Sequence, residues 1–254
     1  MTRIQEADPK TFRAVERGVQ KLTRGCATLE EAAQRYTALL YESFGEGIVL
    51  ARLFATVPYG ELPATNQRFV DELASGAGVG EKITPETLVL SLLGTSGVEP
   101  EWNDRRRSRG HVGIPLASAE FVGAIPMVAR LLHELGLGFD WIDRADSDAV
   151  LKTLGSINGV FYVDDASTAV DVEGRKIIPA SDFVEKYGVR SVVGVGGAYV
   201  GTPTFVAAIL FCRENVTRER AEAFMAHINR LKASTMHLVA EGTIFADEAS
   251  GAAD

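Results

Sequence analysis

The segment that most constrains this fold is YGVRSVVGVGGAYVGTPTFVAAILFCRENVTRERAEAFMAHINRLKASTMHLV, residues 187–239. Two apolar β runs, Val189–Val195 and Thr204–Cys212, are joined by a stretch holding Gly196, Gly197 and Gly201, and Thr217 then caps a helix. A dinucleotide loop needs a strand, a tight turn and a helix whose N-terminus meets the pyrophosphate. Here the glycines lead to Thr202-Pro203 and a second β run, and their spacing does not match G-x-G-x-x-G. The segment therefore reads as a hairpin of an antiparallel sheet followed by a helix, with the glycines as turn chemistry.

Helical patterns bracket this hairpin. Residues 10–24 place Phe12, Val15, Val19 and Leu22 at alternating steps of three and four, a narrow stripe suited to a helix–helix seam. Thr28 and Glu31 form a capping box for a second helix, 29–44, whose broad apolar face belongs on a core. Near the other end Ala221, Phe224, Ile228, Leu231, Thr235 and Leu238 repeat the narrow seam. Two such helices can pair within the chain, pair across a dimer, or cover one face of the sheet. The sequence leaves these open.

Between them, Ile48–Thr56 is a strand interrupted only by Arg52, residues 64–74 are helical, and Thr87–Thr95 is a second strand. Residues 96–118 are polar and rich in breakers. Ala119–Leu135 is a helical pattern with Pro126 inside it, where the helix starts or kinks. A short helix over 147–155, a strand over 159–163, an exposed acidic loop over 164–178 and a short helix over 179–187 complete the reading.

Bulk properties exclude several classes. A formal charge of −8 over 254 residues argues against general nucleic-acid binding, which needs a basic surface. No apolar run reaches the roughly 18 residues of a membrane span. The two cysteines, Cys26 and Cys212, make no disulfide framework. The polar start MTRIQEADPK lacks the parts of a secretory signal, so a cytoplasmic protein is expected.

The hairpin and helix resemble the C-terminal half of GAF-type sensory domains. The resemblance is carried by Val189-Arg190-Ser191-Val192-Val193-Gly194-Val195, by Phe205–Phe211 and by Thr217–Phe224. The whole chain is similar to GAF-like N-terminal modules of bacterial signalling proteins. LVLSLLGTSGVEPEWNDRRRSRGHVGIPL, AIPMVARLL and FVEKYGVRSVVGVGG carry that similarity over about residues 45–240. It implies an α/β (α+β) fold with a GAF/PAS-like central antiparallel sheet flanked by helices, a ligand pocket on one side and seam helices at both ends. The expected layout is an N-terminal seam helix over 1–28, one sensory domain over 29–240 with an insertion around 96–180, and a disordered tail over 241–254.

Candidate chemistry concentrates in the polar segment. Asp104, Arg105, Arg106, Arg107, Arg109 and His111 could hold a carboxylate or phosphate, or form a solvated loop of surface salt bridges. Trp102 could stack on a planar ligand or cap the core. Ile125, Pro126, Ala129 and Arg130 resemble the IP-x-x-AR segment that lines the bilin pocket of phytochrome GAF domains, but no cysteine lies nearby to hold a bilin covalently. The ligand-binding candidates are therefore Trp102, Arg105, Arg109, His111 and Arg130, with no catalytic residue and no metal site. His111, His133, His227 and His237 show no metal-site spacing. Haem or another planar ligand bound non-covalently stays compatible, with His111 or His133 as the axial candidate.

The expected function is a non-enzymatic small-molecule sensor of a bacterial signal-transduction system, homodimeric through its terminal helices and read by an output partner. It would be a stand-alone regulator or a piece of a longer protein. The alternatives are a small enzyme with an anion site at Arg105–His111, or a partner-binding module without ligand.

Overall fold

A six-stranded antiparallel sheet organises the chain, in the strand order β3-β2-β1-β6-β5-β4. The computed structural model describes residues 1–108, 110–143 and 158–246. The helix expected over 147–155 lies outside them. The strands are β1 (Ile48–Pro58), β2 (Leu88–Gly97), β3 (Gly113–Pro115), β4 (Asn158–Val163), β5 (Ser191–Ala198) and β6 (Phe205–Cys212). The expected antiparallel sheet flanked by helices is present.

Each face of the sheet has its own core, because strand side chains alternate. On the helix face Ala51, Leu53, Ala55, Val193, Val195, Ala208 and Leu210 pack with Tyr36, Leu40, Phe44, Phe224 and Leu231. These come from α2 (Leu29–Phe44) and α8 (Met225–Ala240), with Phe224 preceding α8, and α1 (Pro9–Leu22) adds Phe12, Val15 and Val19. On the loop face Leu50, Phe54, Leu90, Leu92, Phe161, Phe205 and Ile209 pack under Phe121, Leu131 and Trp141. Those belong to α4 (Ala119–Gly123), α5 (Pro126–Glu134) and the connections around them. Three shorter helices, α3 (Ala64–Gly76), α6 (Ser181–Tyr187) and α7 (Arg218–Glu222), complete the described elements.

The two seam stripes meet each other within the chain. Phe12 of α1 stacks against His227 of α8 at 5.8 Å and meets Phe224 edge-on at 5.3 Å, with Phe44 of α2 at 5.4 Å. Phe12, Val15 and Val19 are thereby buried. The capping box is also realised: the Thr28 hydroxyl accepts from the Glu31 amide at 3.2 Å, and the Glu31 carboxylate accepts from the Ala27 amide at 2.9 Å.

Between β1 and β2 the register slips by one residue. Leu53 pairs with Gly94 but Phe54 with Leu92, so Leu93 is the extra residue of a bulge. Beyond the bulge the faces of β2 are re-phased. Gly94 now points at α2, where a Cβ would stand only 2.4 Å from the Ala33 carbonyl oxygen. Thr95 pairs with Arg52 and shares its face. The Gln34 side chain of α2 satisfies the backbone here, donating to the Thr95 carbonyl at 2.8 Å and accepting from its amide at 3.2 Å.

Three expectations are corrected. Gly196 and Gly197 are inside β5 rather than in the turn; a Cβ on Gly196 would meet Leu135 at 2.8 Å, so the residue allows close packing. Only Gly201 does turn work there, at φ +75°. The pattern over 119–135 is two helices, broken at Ala124–Ile125, with Pro126 starting the second. The tail expected to be loose from 241 is packed through Ala246, with Ile244 buried.

Candidate functional site

Strand alternation puts Leu50, Arg52 and Phe54 of β1 on the loop face. Leu50 and Phe54 belong to its core, so the guanidinium between them stands among apolar neighbours. Arg52 Nη2 donates to the Ser108 hydroxyl at 3.1 Å. Its Nε has no hydrogen-bond acceptor, and no carboxylate of the described residues pairs with it. Burial pushes its pKa down to about 10, which still leaves it charged at neutral pH.

One polar neighbour of Arg52 is unpartnered as well. Thr95, the cross-strand neighbour of Arg52, is fully buried and its Oγ1 finds no partner among the described residues. Trp141, in the same loop-face core, has an Nε1 in the same condition. Gly110 closes over the guanidinium: a Cβ there would stand 3.5 and 3.6 Å from its two Nη atoms. His111 follows. Solvent reaches its side chain, yet burial by surrounding protein, and then the Arg52 charge, hold its pKa below the usual imidazole value. A neutral imidazole beside a guanidinium is the result.

Buried polar groups are ordinarily paired, and a buried charge left alone costs several kcal/mol (about 3–5 when a partner is removed). A guanidinium offers planar two-point donation to a carboxylate or phosphate. The Thr95 hydroxyl adds a further donor, and His111 a further polar group. An anionic group entering here would offset the cost that Arg52 imposes.

The residues singled out in the sequence are dispersed. Arg105 is buried, with Nε 2.8 Å from Glu30 Oε1 and Nη2 donating to Glu30 Oε2 at 2.9 Å. Its Nη1 donates to Asn66 Oδ1 at 3.3 Å. Its donors are spent inside the protein, so the anion site expected at Arg105 is not formed there. Arg106 also leans on Glu30, at 3.4 Å. Arg109 lies outside the described residues. Arg130 is spent on packing: Nε donates to Glu134 at 3.1 Å and Nη2 to the Tyr162 carbonyl at 2.7 Å, tying α5 to β4. Trp102 caps the core, its ring 4.8 Å from Tyr187 and 5.7 Å from Phe183. Of the four described, His111 alone stands beside Arg52.

The sequence does carry one sign of Arg52. It is the single interruption of an otherwise apolar run, Ile48–Thr56, and a charge in a central strand needs a reason. Among the described residues no group of three or more His, Cys, Asp or Glu could hold a metal ion. His133 and His237 are exposed, and His227 is buried against the Phe12 carbonyl at 2.9 Å. No helix of the described residues is long and apolar enough to cross a membrane.

No family model matches the chain, and no curated protein matches it. Among solved structures it is similar to the phycocyanobilin-bound GAF domain of a cyanobacterial phytochrome, at 13% identity and a TM-score of 0.46, over 91% of this chain and 96% of that one. It is also similar to a phycoerythrobilin-bound GAF domain of a cyanobacterial phytochrome, at 14% identity and a TM-score of 0.45, over 91% and 97%. At this distance neither says what this chain binds.

Proposed function

We propose that the chain is a small-molecule-binding sensory domain whose ligand presents an anionic group to Arg52 on the loop face of the sheet. One observation carries this reading: a guanidinium largely sunk into the middle of β1, its Nε buried, with no carboxylate partner among the described residues. Thr95 supplies a second unsatisfied group in the same place, and His111 the third polar group. Ligand binding would shift a pre-existing equilibrium toward the state with the anion in place. The remaining surface of the ligand would meet the apolar loop face, which suits a planar or aliphatic body.

Several finer parts of the reading belong to the same proposal: one GAF-like domain over 29–240, a bacterial signalling role in the cytoplasm, and an output partner that reads the terminal helices. Homodimerisation through those helices loses its sequence basis, since their apolar stripes are spent on each other. A covalently held bilin is not supported either, because Cys212 and Cys26 are buried away from this face. The enzyme alternative placed an anion site at Arg105–His111, where Glu30 already holds Arg105.

The test is native mass spectrometry and an absorption spectrum of the purified chain, followed by melting in acetate, benzoate and inorganic phosphate. The expected result is a retained acidic molecule, or a melting temperature raised by one of these anions in the wild type and not in Arg52→Met. Equal shifts in both proteins would sink the reading. The same mass measurement reports monomer or dimer.

A further inference from the structure

After α8 the chain turns back on itself. Gly242 reverses it at φ +70°, and residues 243–246 run against the start of α2. The Leu29 amide donates to the Thr243 carbonyl at 3.0 Å and the Glu30 amide to the Ile244 carbonyl at 2.8 Å. Two amides that a helix N-terminus leaves open are closed by this strap. The Ala246 amide donates to Glu30 Oε2 at 3.0 Å, and the Phe245 ring lies 5.0 Å from the Arg105 guanidinium carbon. Glu30 and Arg105 thus hold each other and the strap together.

Arg105 is also the first residue of a single helical turn, Arg105–Arg107, and the Ser108 amide closes that turn on the Arg105 carbonyl at 3.2 Å. The Ser108 hydroxyl is the group that receives Arg52 Nη2. Three residues of sequence therefore separate the clamp on the strap from the unpaired guanidinium. Ser108 and Gly110 lie against that guanidinium, so an anion that takes over the Nη2 donation displaces the Ser108 hydroxyl.

We propose that residues 241–246 are a latch that the 104–108 turn holds closed, and that an anion entering at Arg52 opens it by displacing Ser108. The latch stands on the contacts of Glu30 and Arg105; its link to a ligand rests on the anion-site reading above. Opening would free the chain after α8 and uncover the first turn of α2. The output of the domain would then be a change in where the C-terminal segment goes, rather than a change in the packing of α8 itself.

Hydrogen exchange of the full chain, read by mass spectrometry, tests this, with the sheet amides as the internal control for folding. Phe245→Ala should speed exchange in 241–246 and at the amides of Leu29 and Glu30 by roughly tenfold, about 1.4 kcal/mol. Ser108→Ala should open the same peptides with Phe245 and Glu30 untouched. Benzoate should open them in the wild type and not in Arg52→Met. Unchanged protection in Phe245→Ala would refute the latch, and an open strap in Phe245→Ala with a closed one in Ser108→Ala would refute control by the turn. If benzoate fails to bind while Ser108→Ala opens the strap, the latch stands and the ligand reading fails. If benzoate binds at Arg52 and the strap stays protected, the ligand reading stands and the coupling fails.

Discussion

Replacing Arg52 by methionine should make the protein more stable while abolishing anion binding. The folded state lowers the pKa of Arg52 from its ordinary value to about 10 through burial. At about 1.36 kcal/mol per unit this corresponds to roughly 3 kcal/mol against the charged form. Solvent reaches part of the side chain, so about 2 kcal/mol is the sounder figure after screening. The sign follows from linkage: the cation is penalised in the fold at every pH below about 10, and the penalty fades only as pH rises from there toward the ordinary arginine value. Methionine keeps the volume of the stem and removes the charge, at the loss of the Ser108 contact, about 1 kcal/mol. The expected net gain is about 1 kcal/mol, or roughly 2–4 °C in melting temperature for a chain of this size. It should be constant between pH 6 and 9. Paired thermal and urea melts measure it, with benzoate titration on both proteins. A loss of more than about 1 kcal/mol with an unchanged denaturant slope would mean that Arg52 is there for the fold, and the reasoning would be wrong.

Other expectations follow from single contacts. His227 is buried with its Nδ1 unpaired among the described residues, and burial lowers its pKa although the Phe12 carbonyl and Glu16 oppose the shift. The unfolded chain therefore takes up that proton first, so stability should fall as pH drops below about 6.5, and His227→Gln should flatten that slope in melts from pH 7.5 to 5. Gly94→Ala forces a Cβ against the Ala33 carbonyl and should cost about 3 kcal/mol in urea unfolding; a loss below 1 would show that α2 can back away. Thr28→Ala removes the α2 cap and should cost about 1 kcal/mol. Tyr36→Phe deletes a buried hydroxyl with no partner among the described residues, so a gain of up to about 1 kcal/mol is expected, and a loss would reveal a hidden partner.

Periodicity made most of the fold legible. The stripes of α1 and α8, the capping box and the alternation in β1 and β6 are local patterns, and local patterns survive in a one-dimensional reading. The glycines of β5 were misassigned because a glycine that admits Leu135 or Lys232 looks in sequence like one that makes a turn; the difference lies in what packs on top. The sequence candidates and the site proposed at Arg52 differ for a related reason. Arginines clustered in a polar loop advertise anion binding, yet Glu30, 75 residues away in sequence, takes Arg105 out of play. The lone arginine of an apolar strand drew less notice, though its isolation is what leaves it unpaired.

The bulge at Leu93 also sets which insertions and deletions the chain can survive. Upstream of it β2 reads in one frame, with Leu88, Leu90 and Leu92 toward the loop face; downstream it reads in the other, with Thr95 and Gly97 on that side. Deleting one residue at position 93 would restore a flat ladder and leave the pairs after it in place, Gly94 with Leu53 and Thr95 with Arg52, at the loss of the Leu93 side chain from the helix-face core. A comparison of related sequences should therefore find one-residue deletions gathered at this bulge and a constant residue count in the rest of the strand, a signature of length rather than of identity.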